Sequence, residues 1–374
     1  MEKLKVMTIV GTRPEIIRLC AVIKKCDQYF DHVLVHTGQN YDYTLNEIFF
    51  QDLHLREPDY YLDSPGQNLG ETMGNIIAKS YALMEKVKPE AVLLLGDTNS
   101  ALSALSAKRL KIPIFHMEAG NRCWDWNVSE MINRKIVDHI SDINLPYTEH
   151  SRRYLLSEGI DGKTIFVTGS PMAEVIKEHR YHIEKSNILE NIGLKKGEYM
   201  IVSAHREENI DKEENFMALM MGVNHIAQKY KMPLIFSTHP RTQKFIEARN
   251  FTFHPLVVNR KPFGYLDYNK LQMNAFCVLS DSGTLSEESA LLNFPGVLIR
   301  TSTERPEVLD KGSVVVGGIK ERDIEQAVEL AVTMFQREEK IPLPKDYEDV
   351  NVSAKVVKII QSYTKIVNQT IWMK

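Results

Sequence analysis

The chain alternates short apolar runs with stretches in which hydrophobic residues recur at helical spacing. The first apolar run, Val6–Val10, is followed at once by a helical pattern with Pro14 in its first turn. Such runs, bounded by turns and without polar alternation, are typical of buried parallel strands. Their alternation with helices predicts an α/β fold with doubly wound, Rossmann-like parallel sheets. The predicted strands are Val6–Val10, Val33–Thr37, Val92–Leu95, Ile114–Met117, Ile143–Leu145, Ile165–Thr168, Met200–Ser203, Leu234–Ser237, Cys277–Ser280, Val297–Ile299 and Val314–Val316.

The alternation is interrupted once, after Ser170-Pro171, by a charged and polar stretch that runs to Glu198. A chain of 374 residues is also too long for one ordinary core. We therefore expect an N-terminal α/β domain over residues 1–170, a C-terminal α/β domain over residues 171–351 and a final helix within residues 352–374. Ligands of open parallel sheets bind beyond the carboxyl ends of the strands, so two such domains facing each other would form a cleft.

Composition narrows the possible partners. The net charge is −3 and no run of Lys or Arg forms a binding stripe, which argues against nucleic acid. No apolar stretch approaches the roughly 20 residues that span a bilayer, and the N-terminus passes directly into a strand, so we expect neither membrane insertion nor a signal peptide. The four cysteines lack metal or redox spacing and predict reduced thiols in a cytoplasmic protein. No metal cluster is present, and no Gly-x-Gly-x-x-Gly follows a strand, so no cofactor is expected.

Polar and charged residues gather at the predicted carboxyl ends of the strands. The first half places carboxylates there, whereas the second half places cations and anion-binding turns. This division fits a ligand whose reacting part faces one domain and whose phosphates face the other. The residues concerned are Arg13, Asp97, Glu118, Glu130 and Arg134 in the first half, and His205, Ser282, Gly283 and Arg305 in the second.

The segment Phe276–Ser289 shows the anion-binding pattern most fully. An apolar run ends at Asp281-Ser282-Gly283-Thr284, and a helical pattern follows directly. The free N–H groups and the dipole of a helix N-terminus suit a phosphate or diphosphate. Glu288, about one turn further on, could reach a sugar hydroxyl. An Asp or Ser N-cap on an ordinary crossover helix explains the same pattern, and both interpretations stay open.

Each of these residues also has a structural interpretation. Arg13 and Arg18 could pair with Glu15, and Asp97 could cap the helix that follows it. Glu118 could pair with Arg122, His205 could be a satisfied loop histidine, and Arg305 could simply precede a helix start. Collectively these interpretations weaken, because residues without a function would not be expected to gather at the strand ends.

A series of short motifs follows the predicted strands along the chain. They are Gly-Thr-Arg-Pro-Glu at 11–15, His-Thr-Gly-Gln at 36–39, Gly-Asp-Thr at 96–98, Glu-Ala-Gly at 118–120, Asn-Arg at 133–134, His-Arg-Glu-Glu-Asn at 205–209, Asp-Ser-Gly at 281–283, Glu-Glu at 287–288 and Thr-Glu-Arg-Pro-Glu at 303–307. Taken in order, these motifs resemble those of the non-hydrolysing UDP-N-acetylglucosamine 2-epimerase family. The resemblance extends over nearly the whole chain and implies a two-domain fold of GT-B type, usually a homodimer, whose last helix packs back on the first domain.

Several positions depart from the family pattern. Arg18 stands where Lys is usual, Met131 where a second Glu is usual, and Thr284 where a second Gly is usual. The segment 121–126 also differs from the family pattern. The segment 133–148 looks more like a subgroup that makes UDP-N-acetyl-L-fucosamine, or the L-quinovosamine analogue, for capsule or O-antigen. The resemblance therefore implies UDP-2-acetamido-2,6-dideoxy-L-talose as substrate, with UDP-N-acetylglucosamine as the alternative.

Inversion at C2 of a 2-acetamido sugar is difficult because the C2 hydrogen is barely acidic. Without NAD or a metal, the remaining route eliminates UDP to give a 2-acetamidoglycal and adds UDP back with the proton delivered from the other face. We expect Asp97, Glu118 and Glu130 to transfer protons and to stabilise positive charge on the sugar.

The other residues carry the UDP part in this scheme, as the resemblance implies. We expect cations and the turn to neutralise the leaving diphosphate, Glu288 to hold the ribose and Tyr268 to stack near the uracil. The full set expected to bind substrate is Arg13, Arg18, Arg134, Tyr268, Ser282, Gly283, Thr284, Glu288 and Arg305, with His205 counted as catalytic.

Three other functions share parts of this pattern. A GT-B glycosyltransferase would need an acceptor, and a hydrolysing epimerase would release UDP. A regulator that only binds nucleotide sugars would need none of the three carboxylates. The indoles of Trp124 and Trp126 could line the sugar pocket or pack at a domain interface.

Overall fold

The computed structural model describes residues 2–38, 47–126, 128–339 and 341–374. Gln39, which belongs to the His-Thr-Gly-Gln motif, lies outside these residues. The chain divides into two compact units: unit 1 comprises Met1–Glu178 and Asp346–Lys374, and unit 2 comprises His179–Lys345. Among the described residues, no helix has both the length and the apolar character needed to cross a membrane.

Strands and helices alternate in both units. The elements up to the unit boundary are β1 Lys5–Val10, α1 Arg13–Tyr29, β2 Asp31–His36, α2 Glu47–Asp52, β3 Tyr60–Tyr61, α3 Leu69–Val87, β4 Ala91–Leu95, α4 Ser103–Arg109, β5 Ile114–Met117, α5 Glu130–Ile140, β6 Ile143–Leu145, α6 Glu149–Ser157 and α7 Met172–Lys185. The remaining elements are α8 Ile188–Ile192, β7 Met200–Ser203, α9 Glu207–Ile210, α10 Glu213–Tyr230, β8 Leu234–Ser237, α11 Pro240–Ala248, β9 Val257–Arg260, α12 Tyr265–Asn274, β10 Cys277–Ser280, α13 Thr284–Leu292, β11 Gly296–Leu298, α14 Pro306–Lys311, β12 Val315–Val316, α15 Glu321–Gln336 and α16 Val352–Thr370.

The sheet of unit 1 has the strand order β3-β2-β1-β4-β5-β6, and every pair is parallel. The order reverses direction at β1, which pairs with β2 on one side and β4 on the other. In a doubly wound sheet this is the point where the loops after the strands diverge and leave room for a ligand. Strands β1 and β4 are almost entirely buried, as their continuous apolar runs require.

Unit 2 repeats the arrangement with the order β12-β11-β10-β7-β8-β9, again parallel throughout. Here the order reverses at β7, which lies between β10 and β8. The register pairs Cys277 with Met200 and Ser280 with Ser203, so β7 and β10 end together. The predicted α/β class with two parallel, Rossmann-like sheets is confirmed.

The last helix, α16, belongs to unit 1 and packs on α1. Its N-terminal turn is fixed by Ser353, whose backbone N–H and hydroxyl both donate to the carboxylate of Glu174 on α7, at 2.8 and 2.5 Å. The covered face of α16 includes Val356 and Ile360, which are fully buried. Unit 1 is therefore built from two segments of the chain, one before and one after unit 2.

One predicted strand is wrong and two strands were not predicted. Residues 165–168 form only an isolated bridge between Ile165 and Asn144. The segment does bond to β6 and the residue after it, but Pro146 has no N–H with which to complete a ladder. The unpredicted strands are β3, which has two residues, and β9, whose second half is exposed and polar.

Candidate active site

The carboxyl ends of β4 and β5 place Asp97 and Glu118 in neighbouring loops of unit 1. Asp97 follows Gly96, whose φ of +74° turns the chain sharply after the strand. One Asp97 carboxylate oxygen accepts a bond from Nε of Arg134 at 2.7 Å. The backbone carbonyl of Asp97 accepts from the side-chain amide of Asn133 at 2.9 Å. Asp97 is therefore fixed by two residues from the start of α5 and does not merely cap the turn that follows it.

Glu118 is a nearly buried carboxylate, 8% exposed, in an unusual backbone conformation. Its φ of +62° is rare for a residue with a side chain and stores strain of about 1–3 kcal/mol. The carboxylate pairs with the guanidinium of Arg18 on α1 and accepts from the amide of Asn121 at 3.1 Å. Glu118 does not pair with Arg122, because Arg122 contacts Asp138 and Glu158. Strain at a buried, ion-paired carboxylate is typical of a functional site.

Glu15, on the first turn of α1, joins the loop after β1 to the loop after β4. One of its oxygens accepts from the Gly11 N–H at 2.9 Å and the Thr12 hydroxyl at 2.8 Å, and the other accepts from the Thr98 hydroxyl at 3.0 Å. Burial raises the pKa of Glu15 to about 7, although these donors oppose the rise. Its partners are thus backbone and hydroxyl groups rather than an arginine on the surface.

Two further candidates of unit 1 lie at its surface. Glu130 begins α5 and is half-buried, and its carboxylate accepts from the Ser129 hydroxyl at 3.2 Å. Arg13 begins α1, with its guanidinium 5.6 Å from the centre of the Phe49 ring. Both positions leave the side chain in reach of solvent, as substrate binding would need.

In unit 2 the loops after β7 and β10 are joined by Asp281. This carboxylate is fully buried and accepts from the backbone N–H groups of His205 and Arg206, both at 2.9 Å, and from the Asn209 amide at 3.1 Å. Burial raises the pKa of Asp281, while these donors oppose the rise. The His205 ring lies 3.4 Å from Asp281 and 5.6 Å from the centre of the His239 ring. Asp281 therefore orders the His205 loop and does not cap α13.

The turn Ser282-Gly283-Thr284 leads directly into α13. The Thr284 N–H donates to the Ser282 hydroxyl at 3.4 Å, while the N-cap residue Gly283 has no side chain with which to cap α13. A Cβ at Gly283 would lie 2.7 Å from the Glu304 carboxylate, which explains the glycine. Glu304 also accepts from Arg206 at 3.1 Å and from Arg300 at 2.7 Å. The turn thus has two guanidinium groups close by.

The remaining candidates of unit 2 differ in exposure. Glu288, 6% exposed, accepts from the Gln272 amide at 3.0 Å, and Tyr268 is half-buried on α12. Arg305 is only 1% exposed and lies 3.6 Å from the carboxylate of Glu287. This contact ties the start of α14 to α13. The role of Arg305 in substrate binding stays a prediction.

The two indoles that the sequence placed near the sugar are both exposed, Trp124 by 61% and Trp126 by 66%. The Trp124 ring packs edge-on against Tyr154 at 5.6 Å and under the ammonium group of Lys135 at 5.7 Å. These contacts lie on α5 and α6, and Lys135 pairs with Glu158. They favour a packing role for Trp124 over contact with a sugar at Glu118.

Sequence reasoning missed the role of the residues that order these loops. Glu15, His116 and Asp138 are fully buried in unit 1, and Asp281 is fully buried in unit 2. A signal existed for Glu15, because Thr12-x-x-Glu15 has the spacing of a capping box. The others contact residues far away in the sequence, so no local pattern identifies them.

Comparison with known proteins identifies the family. A family model described as UDP-N-acetylglucosamine 2-epimerase matches residues 24–361. The chain is similar to the UDP-N-acetylglucosamine 2-epimerase structure from Rickettsia bellii, with 44% identity, full coverage of both chains and a TM-score of 0.91. It is also similar to the Methanocaldococcus jannaschii UDP-GlcNAc 2-epimerase in complex with UDP-GlcNAc and UDP, with 32% identity, coverage of 96% and 99%, and a TM-score of 0.89.

A third relative has a different sugar in its name. The UDP-2,3-diacetamido-2,3-dideoxy-D-glucuronate 2-epimerase of Pseudomonas aeruginosa is 32% identical over 329 residues, which cover 87% of this chain and 91% of the relative. The structural similarities confirm the predicted GT-B type of fold. The chain therefore belongs to the UDP-N-acetylglucosamine 2-epimerase family and is an enzyme of the isomerase class.

Proposed function

We propose that the protein inverts C2 of a UDP-2-acetamido sugar by eliminating UDP and adding it back. The observation that carries the proposal is the pair of carboxylates at neighbouring strand ends, each held by a buried arginine. Asp97 is bonded to Arg134, and Glu118 is bonded to Arg18. Two fixed acids in neighbouring loops supply what the reaction needs: a base that removes the C2 proton and an acid that returns one to the opposite face.

The arginines also fix the orientation of the two carboxylates. A planar guanidinium presents a rigid set of donors, so each carboxylate is held in one direction relative to the loop that carries it. Glu130, half-exposed at the start of α5, is the third group assigned to proton transfer. We assign Asp97, Glu118 and Glu130 to proton transfer and to stabilisation of positive charge at C1 of the sugar.

Unit 2 supplies the groups assigned to the nucleotide. The diphosphate gains charge as the C1–O bond breaks, so donors aimed at it lower the barrier. We assign this role to His205 and to the turn Ser282-Gly283-Thr284, which Asp281 and Glu304 hold in place. Glu288 is assigned to the ribose and Tyr268 to the uracil, while Arg305 supports the turn through Glu287.

The finer proposal concerns the sugar. Of two positions that depart from the family pattern, one contacts a proposed acid and the other contacts the arginine that holds Asp97. Asn121 donates to Glu118, and the Met131 sulfur lies 3.5 Å from a guanidinium nitrogen of Arg134. A methionine at this position gives the Arg134 side of the site an apolar neighbour. We propose UDP-2-acetamido-2,6-dideoxy-L-talose as the substrate, converted to UDP-N-acetyl-L-fucosamine. A homodimer stays a prediction from the family resemblance, and a cytoplasmic location stays a prediction from the cysteine pattern.

Proton NMR of the purified protein with a panel of UDP-sugars in deuterated water tests both the reaction route and the choice of sugar. We expect turnover without added NAD or metal, also with a chelator, and a product that carries deuterium at C2. Epimerisation with the C2 hydrogen fully retained would refute the elimination route. Transfer of sugar only when an acceptor is added would indicate a glycosyltransferase, and release of free sugar a hydrolysing epimerase.

The same panel tests the choice of sugar. Burying an unpaired hydroxyl costs roughly 1–3 kcal/mol, so we expect kcat/KM for the 6-deoxy-L-sugar to exceed that for UDP-N-acetylglucosamine by about one to two powers of ten. Efficient conversion of UDP-N-acetylglucosamine, with no turnover of the L-sugar, would assign the parent activity. Trp124→Ala measures whether this indole affects the preference, and its contacts with Tyr154 and Lys135 predict little change.

A further inference from the structure

His116, on β5, contacts the loop that carries Asp97 and lies two residues before Glu118. Its side chain is 1% exposed. Nε2 lies 2.8 Å from the carbonyl oxygen of Gly96, the residue before Asp97. A carbonyl oxygen can only accept a hydrogen bond, so Nε2 must carry a hydrogen. The loop after β4 is thereby tied to the strand that leads into Glu118.

Asp138, on α5, completes the connection from the other side. One carboxylate oxygen lies 3.0 Å from Nδ1 of His116. The other accepts from the Gly120 N–H at 3.1 Å and lies 2.8 Å from a guanidinium nitrogen of Arg122. Residues 116, 120 and 122 therefore all converge on one buried carboxylate. Glu118, with its strained left-handed backbone, sits between the first two of them.

We propose that His116 and Asp138 form a positioning pair that holds the Asp97 and Glu118 carboxylates in a fixed relation to each other. The inference rests on the proposed function for its kinetic consequence, but its structural consequence can be measured without substrate. Neither residue is a catalytic group, because Asp138 and His116 are enclosed within unit 1 behind the loops that they hold.

The glycines of the two loops explain why such a pair is useful. Gly96 has φ +74° and Gly120 has φ +81°, conformations that glycine adopts without strain and that no side chain of its own can fix. Contacts to the backbone polar groups beside these glycines therefore set the position of each loop. His116 bonds the Gly96 carbonyl and Asp138 bonds the Gly120 N–H, so each loop is fixed next to its glycine.

Charge strengthens the contacts. Burial lowers the pKa of His116, but Asp138 and the Gly96 carbonyl raise it by more, so the pKa lies above its ordinary value. Burial raises the pKa of Asp138, but His116 and Arg122 lower it by more. A raised pKa of His116 beside a lowered pKa of Asp138 means that each of the two groups favours the charged form of the other.

Two substitutions of His116 test its two contacts one at a time. In His116→Asn the shorter amide can still donate near Nδ1, toward Asp138, but no longer reaches Gly96. In His116→Gln the longer amide can donate near Nε2, toward Gly96. We expect His116→Asn to lose about 100-fold in kcat, the effect of misplacing a reacting group by about 1 Å, with KM within about 3-fold of wild type. His116→Gln should recover most of the loss.

Asp142→Asn is the matched control, because Asp142 is a buried carboxylate just before β6 that holds the opposite end of β5. Its carboxylate accepts from the Ile114 N–H at 2.9 Å and from Lys108 at 2.6 Å. This variant should lose thermal stability without changing kcat by more than about 3-fold at temperatures where it is folded. An equal loss of kcat in Asp142→Asn and His116→Asn would show a general effect of destabilisation and overturn the proposal.

Hydrogen exchange of the protein without substrate gives a second readout. In His116→Asn and Asp138→Asn, amides in residues 96–100 and 118–122 should exchange at least about 10-fold faster than in wild type. Unchanged exchange in both segments would overturn the positioning role, whatever the reaction. If wild type turns over no sugar, the proposed function fails, and the exchange result still decides the positioning pair.

Discussion

The buried carboxyl of Glu15 should make unit 1 less stable as the pH rises. Burial raises the pKa of Glu15 from 4.5 to about 7 in the folded protein. The folded state therefore binds a proton more tightly than the unfolded state does. Between these two values the folded state holds more protons, so the free energy of unfolding falls with rising pH and stays low above pH 7. Each pKa unit corresponds to 1.36 kcal/mol, which gives about 2–3 kcal/mol between pH 5 and pH 8.

Glu15→Gln isolates this contribution. Glutamine does not titrate, although its amide group meets donors at Gly11, Thr12 and Thr98 and so adds a constant cost. Between pH 5 and pH 8, the free energy of unfolding of the wild type should therefore fall by about 2–3 kcal/mol relative to that of Glu15→Gln. Contributions from all other titrating groups cancel in the difference.

Tryptophan fluorescence during denaturant unfolding measures unit 1 selectively. The three tryptophans, Trp124, Trp126 and Trp372, all belong to unit 1. Thr98→Val is a useful second variant, because it removes a donor to the ionised carboxylate and should shift the loss of stability to higher pH. A difference between wild type and Glu15→Gln that stays constant with pH, or that changes in favour of the wild type, would refute the reasoning.

Three further outcomes are expected. Asp97→Asn and Glu118→Gln should each lose at least about 100-fold in turnover while calorimetry shows UDP binding nearly unchanged, and near-normal turnover in both would contradict the proposed acids. Gly120→Ala should destabilise unit 1 by several kcal/mol in the fluorescence assay, because a Cβ there would lie 2.4 Å from the Ser151 carbonyl oxygen. Asp281→Asn should weaken UDP binding by about 10-fold in calorimetry, the scale of one lost charge-assisted hydrogen bond, and unchanged affinity would mean that the His205 loop does not bind the nucleotide.

The alternation of apolar runs was enough to predict the fold class and nearly all strands. The alternation does not predict strands correctly where pairing with a neighbouring strand, rather than composition, decides whether a strand forms. β3 has only two residues, and residues 165–168 look like a strand but meet Pro146, which cannot complete the ladder. Such features depend on the neighbouring strand, which a single sequence segment does not describe.

For the site, the sequence identified residues at strand ends but not their partners. Asp97 and Glu118 were expected together because parallel strands end at the same edge of a sheet. That Arg18 pairs with Glu118, and that Asp281 serves the His205 loop, follows from contacts across 100 and 76 positions. No periodicity or motif spacing encodes contacts over such distances, so the electrostatics of the site needed the structure.

The division of the chain has a consequence for the order in which the protein can be completed during synthesis. Unit 2 is one continuous segment, His179–Lys345, whereas unit 1 needs residues from both sides of it. α16, which covers α1, is translated after the whole of unit 2. Domains usually complete folding in order from the N-terminus. Here unit 2 can finish folding first. Unit 1 keeps the face that binds α16 exposed until α16 has been translated.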